Sequence, residues 1–158
     1  DDLMAAVTAF ATRAGEKLRA QRLRASAVNV FIHTSPFDTS GQHYANSATA
    51  GLDRPTRDSG ILVTCAVQGL ERIYREGYAY QRAGVLLPDL VGENAEQGLL
   101  FAETPGDTAR SNRLMDALDK INRAQGRGTV RYAGEGMGDR WKMKQGRLSE
   151  ASTTGWGM

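Results

Sequence analysis

Ala27-Val28-Asn29-Val30-Phe31-Ile32-His33-Thr34 is the stretch on which the fold turns. Val28, Val30 and Ile32 alternate with Asn29, Phe31 and His33; this period of two, rich in β-branched residues, predicts a strand with one face in a core. Upstream, Leu3, Val7, Phe10, Ala14 and Leu18 recur at steps of three and four. They predict a helix from Asp2 to about Gln21, with Asp1 and Asp2 near its positive end. Downstream, Ser35-Pro36-Phe37-Asp38 turns the chain into a weaker strand over Asn46 to Leu52. Pro55-Thr56-Arg57-Asp58 opens a second helix, with Thr56 or Asp58 as N-cap. Its apolar stripe is Ile61, Leu62, Cys65, Ala66, Leu70, Ile73 and Tyr74, and Gly77 is placed as its C′ residue. Tyr78 to Leu87 reads as a third strand, closed by Pro88-Asp89. The order helix, strand, strand, helix, strand specifies an α+β fold: an antiparallel sheet with both helices on one face.

The pattern changes after this domain, residues 1–90. Val91 to Thr108 shows no periodicity and reads as a linker. A third helix is predicted over Ala109 to Ala124, with Leu114, Leu118 and Ile121 on one side and Gly126 as its stop. Thr129 to Tyr132 is a candidate strand, so residues 109–158 form a small helix-plus-strand tail. Charge follows the same divisions: the first domain is balanced, the linker 91–108 holds four acidic and no basic residues, and the tail is basic. Of the 20 basic residues most are Arg, the side chain shaped for bidentate phosphate contacts. No apolar run approaches the roughly 18 residues of a membrane span, so no membrane partner is expected. The single cysteine, Cys65, excludes an internal disulfide, suits a reducing cytoplasm and falls on a helical core stripe, where an inert thiol is expected. Asp1-Asp2-Leu3 is neither an initiator Met nor a signal-peptide start, so the chain reads as part of something longer.

Little in the chain points to catalysis. His33 and His43 have no Cys or carboxylate beside them at metal-ligand spacing, so no metal is expected. No Gly-x-Ser-x-Gly elbow is present. The glycines Gly134, Gly136 and Gly138 are interleaved with Glu135 and Asp139, which repel phosphate; they read as a turn, and no cofactor is expected. The outward side of the sheet is more informative. Asn29, Phe31 and His33 point away from the helices, and Arg82, Gly84 and Leu86 do the same on the last strand, with Tyr80 placed on that side. Arg54 and Arg57 flank the start of the second helix, where free N–H groups favour an anion. His33, Arg54, Arg57, Tyr80 and Arg82 therefore suit a duplex DNA backbone. An ordinary solvent-facing sheet fits the same residues. In the linker, Gln97-Gly98-Leu99-Leu100-Phe101 has the pattern of a peptide that docks on bacterial sliding clamps: an amide orients it and adjacent large apolar groups fill a pocket. A linker folded back over a core edge fits it equally.

Several of these pieces in order resemble the C-terminal region of UmuC-type polymerases, in the Y family of translesion DNA polymerases. They are Val30-Phe31-Ile32 with Thr34-Ser35-Pro36-Phe37, Tyr44-Ala45-Asn46-Ser47-Ala48, Pro55-Thr56-Arg57-Asp58 and Leu70-Glu71-Arg72-Ile73-Tyr74. Gly77-Tyr78-Ala79-Tyr80-Gln81-Arg82-Ala83-Gly84-Val85 and the segment Gln97 to Phe101 are the most specific. Gly126-Arg127-Gly128-Thr129 and Trp141-Lys142-Met143-Lys144 extend the likeness into the tail. The resemblance implies a little-finger domain over residues 1–90 that contacts primer-template DNA, and β sliding clamp binding by residues 97–101. It also implies a role in error-prone, SOS-type DNA repair, and a tail 109–158 that contacts a UmuD′-like subunit or RecA. This family's metal-binding palm has no counterpart here, so no nucleotidyl transfer is expected of this region itself. Two departures stand out. The family's little finger begins with a strand before the first helix, and Gly98 stands where the clamp motif prefers Leu. Two other classes fit the composition: a stand-alone α+β domain that binds a small ligand, and a protein-interaction module without a DNA role.

Overall fold

The computed structural model describes residues 2–37, 43–92 and 105–136. Helix α1 spans Asp2–Ala20, strand β1 Leu23–Thr34, strand β2 Ala45–Thr56 and helix α2 Ser59–Ile73. Strand β3 (Tyr80–Leu86), short strand β4 (Leu90–Gly92) and helix α3 (Pro105–Gln125) follow, and a 3-10 turn covers Ala133–Glu135. β1 lies at the centre of an antiparallel sheet, paired with β2 on one side and with β3 and β4 on the other. Both α1 and α2 cover one face, the arrangement expected of a little-finger domain.

The alternation in β1 sorts its side chains as its sequence predicts. Val28, Val30 and Ile32 are fully buried and pack with Val7, Ala11 and Leu18 of α1 and Leu62, Ala66 and Leu70 of α2. Taking those nine side chains out of water contributes roughly 1.5–3 kcal/mol for each large one, which offsets much of the chain entropy of ordering this layer. Asp58 is the N-cap of α2: its Oδ1 accepts from the Gly60 N–H at 2.7 Å and from the Ile61 N–H at 3.4 Å. Gly69 brings α2 close to the sheet, with Val30 Cγ2 3.5 Å from where a Cβ would stand.

Several boundaries differ from the sequence-based expectation; α3, for one, starts at Pro105, inside the expected linker, rather than at Ala109. β1 starts four residues earlier, because Leu23 to Ala25 pair with Leu90 to Gly92. That pairing turns the first residues of the expected linker into β4. β2 runs on to Thr56, and its register against β1 breaks between Ala25 and Ala27, beside Pro55, which has no N–H to give the ladder. α2 ends at Ile73 rather than at Gly77. Tyr74 turns extended as the C-cap, while Gly77 serves a turn farther on with φ of 89°. Finally, Thr129 to Tyr132 is not a strand. The side chain of Asn122 holds Val130 there, donating to its carbonyl at 2.9 Å and accepting from its N–H at 2.8 Å.

Candidate nucleic-acid interface

The face of the sheet opposite the helices is a regular grid of cross-strand neighbours. Thr49, Asn29 and Leu86 form one row, Ser47, Phe31 and Gly84 the next, and Ala45, His33 and Arg82 the third. The β2 side of this grid is small and exposed, so a bulky partner can approach the backbone there. In the middle, Phe31 and His33 stack with ring centroids 5.6 Å apart and planes inclined by 22°. Gly84 makes that stack possible, because a Cβ at Gly84 would overlap the Phe31 ring. Asn29 Nδ2 donates to Thr49 Oγ1 at 2.7 Å, which ties β1 to β2 across the top row. Arg82 is exposed beside His33 and is the one Lys or Arg of the grid. A flat surface with aromatic rings, hydroxyls, an amide and a guanidinium can stack on and hydrogen-bond a sugar-phosphate backbone without reading its sequence.

Tyr80 is a correction. Strict alternation from Arg82 predicts it on this open face, and the structure puts it on the other. The register slips by one residue between His33 and Thr34, so that Tyr80 stands opposite the buried Thr34 instead. The extra residue, Gln81, flips Tyr80 to the helix side, as a bulge does. There its hydroxyl donates to the Arg75 carbonyl at 2.8 Å and accepts from the Arg75 N–H at 2.9 Å. Its ring joins Tyr44, Tyr74 and Tyr78 in a cluster that closes the end of α2, where the Tyr44 hydroxyl donates to the Ile73 carbonyl at 2.6 Å. Burial pushes the Tyr80 phenol up from its ordinary value. The outer edge of β3 has no neighbouring strand among the described residues, and a groove lined by Leu3, Phe10, Leu70 and Tyr74 follows it.

Arg54 and Arg57 do flank the start of α2, yet the structure does not bring them to His33 and Arg82. They turn toward α3. Arg57 Nε donates to Asn112 Oδ1 at 2.9 Å, its guanidinium lies 3.5 Å from Asp116, and Arg54 reaches the Thr108 hydroxyl at 3.4 Å. They belong to a larger polar junction that sequence reasoning missed. Arg19, with a side chain only 3% exposed, makes two charge-assisted bonds to Asp119, from Nε at 2.6 Å and from Nη2 at 2.7 Å. Its Nη1 also donates to the Ser59 hydroxyl at 2.8 Å and the Arg57 carbonyl at 2.9 Å. Met115 is buried beside them, and Ser111 donates to the free oxygen of the Asp58 cap. Gly15 supplies the room: a Cβ there would overlap Ser59 Oγ and stand 3.3 Å from Arg19 Nη1.

The signal for this junction was present as Thr8, Thr12, Gly15 and Arg19, small or polar residues at helical spacing beside the apolar stripe of α1. All four are buried. Thr12 Oγ1 donates to the Thr8 carbonyl at 2.9 Å, and Thr8 lies against Gly134. The face of α3 that docks is accordingly Ser111, Met115 and Asp119. The Leu114, Leu118 and Ile121 side is not the buried one: Leu114 is 59% and Ile121 42% exposed. Tyr132 lies half-buried over the start of α2, and burial first, then the Asp58 carboxylate, pushes its phenol up. The half-buried Cys65 thiol is pushed up by burial and by Asp53.

Gln97, Gly98, Leu99, Leu100 and Phe101 lie outside the described residues. Among the described residues no cluster of three or more His, Cys, Asp or Glu could hold a metal ion, and no helix is long and apolar enough to cross a membrane.

An open antiparallel sheet backed by two helices, with a polar and aromatic outer face, defines a little-finger type of domain. The chain belongs to the impB/mucB/samB family: that family's C-terminal domain matches residues 1–100. A domain of unknown function, DUF4113, matches residues 112–158. Similar proteins include Protein UmuC of Salmonella typhimurium (strain LT2), 39% identical over 98% of this chain. Protein MucB of Salmonella typhimurium is 42% identical and Protein MucB of Escherichia coli 43% identical, each over 98% of this chain. The chain spans 36% of the length of each of these relatives. It is a UmuC-like C-terminal region.

Proposed function

We propose that this chain is the DNA-gripping and clamp-tethering region of an error-prone translesion DNA polymerase, and that it carries no nucleotidyl-transfer chemistry itself. The observation that supports it best is the grid around Phe31, His33 and Arg82, an open and flat face on a domain of the impB/mucB/samB family. Contact with primer-template DNA is directed at phosphates and is weak, since the grid holds a single Lys or Arg. Tethering falls to Gln97 to Phe101, which meets the β sliding clamp. Two weak contacts on one DNA suffice, because the second becomes intramolecular once the first is made. The region needs no cofactor. The DUF4113 segment is the natural place for contact with a UmuD′-like subunit or RecA in the cytoplasm. Fluorescence anisotropy with a labelled primer-template duplex tests this reading. Saturable binding that weakens with salt is expected, and no binding at low salt would overturn it.

A further inference from the structure

Helix α3 separates its charges in a way that its docking explains. Of its two described carboxylates, Asp119 turns inward onto Arg19, while Asp116 stays exposed, 3.5 Å from Arg57. Arg110, Arg113, Lys120 and Arg123 are all exposed, as is Arg127 in the turn that follows, and no ion pair to any of them is seen among the described residues. Each of these acids thus has an arginine partner on the domain, and the five cations, with Asp116 exposed among them, form a net cationic ridge facing solvent. From Arg110 to Arg123 that ridge is about 20 Å long, at about 1.5 Å of rise per residue.

We propose that this outer face of α3 is a second polyanion-binding surface, and that its occupant is the phosphate backbone of DNA. Four of its five cations are Arg, whose planar fork matches phosphate bidentately. Its length matches several successive phosphates of one strand. The polar junction fixes α3 against the C-terminal end of α1 and the N-terminal end of α2, away from the open sheet face. The two surfaces therefore act as separate contacts. The sheet grid offers one Lys or Arg, whereas the α3 ridge offers five, so most of the salt dependence of DNA binding resides in α3.

The proposal deepens the DNA-binding reading and rests on it, yet the two fail separately. The whole chain is titrated with a labelled 20-base-pair duplex over a range of salt, comparing wild type, Arg82→Ala, and the triple variant Arg113→Gln, Lys120→Gln, Arg123→Gln. Gln keeps helix propensity, and circular dichroism confirms folding. Should the triple variant not fold, each single change serves, with a drop of about one unit in the logarithmic salt slope. In the triple variant the slope is expected to fall by about three units. A slope unchanged there but lowered by Arg82→Ala overturns the α3 surface and leaves the sheet face standing. It would mean that the ridge meets another partner, such as an acidic protein surface. A slope lowered only in the triple variant leaves α3 standing and removes the sheet face.

Discussion

Arg19 and Asp119, 100 residues apart in sequence, face each other side-on with both bonds shorter than 2.8 Å. The first lies near the end of α1 and the second on α3, so this pair joins the impB/mucB/samB domain to the segment matched by DUF4113. Removing Asp119 strands an almost fully buried guanidinium, because the Ser59 hydroxyl and Arg57 carbonyl cannot neutralise it. Asp119→Ala should therefore destabilise the junction by about 3–5 kcal/mol. Urea unfolding, with limited proteolysis to report release of α3, measures this. A change under about 1 kcal/mol would show that the pair is solvated and incidental.

Gly15→Ala acts on the same junction from the other side. Its Cβ would overlap Ser59 Oγ, so either Ser59 or Arg19 must move. We expect a loss of about 1–3 kcal/mol from overpacking, read as a lower urea midpoint. The effect should be less than additive with Asp119→Ala, since both changes strike one network.

Tyr132 gives the junction an alkaline limit. Its phenol is raised by burial and then by Asp58. A group whose folded value is raised contributes stability fully below its unfolded value, here about pH 10. That contribution is lost as pH rises through the folded value. The urea midpoint should thus fall more steeply above about pH 10 in wild type than in Tyr132→Phe. Parallel curves for the two proteins would count against a buried phenol.

The tether can be tested without disturbing the domain. Leu100 and Phe101 offer roughly 1.5–3 kcal/mol each if fully buried against a clamp. The contact should be micromolar or weaker, about −8 kcal/mol at most. Changing both residues to Ala should abolish clamp binding in surface plasmon resonance and leave DNA binding intact. Clamp binding that persists in the double variant places the tether elsewhere.

What could be read from sequence followed the strength of local patterns. The alternation of Val28, Val30 and Ile32, the stripe of α2 and the Asp58 cap are local and were legible. Tyr80 was misplaced because a one-residue bulge at Gln81 leaves no mark in a two-residue period. β4 was missed because a run of only three residues, Leu90-Val91-Gly92, becomes a strand only through pairing with Leu23 to Ala25. On α3 the apolar Leu114 side looked like the packing face, yet the docked face is polar. The reason lies 100 residues away, in a buried Arg19 that demands a carboxylate. For Arg54 and Arg57, position beside the helix start was right, and the hydroxyl, amide and carboxylate that hold them came from Thr108, Asn112 and Asp116 of α3.

The open sheet face is the centre of this account, and the salt dependence of duplex binding by Arg82→Ala and His33→Ala tests it most directly. Arg82 is the one Lys or Arg of the nine-residue grid, beside His33, which stacks on Phe31. Arg82→Ala should weaken binding and lower the logarithmic salt slope by about one unit. His33→Ala should weaken binding through lost stacking while moving the slope less. If both variants bind with wild-type affinity and slope, the sheet face does not touch DNA.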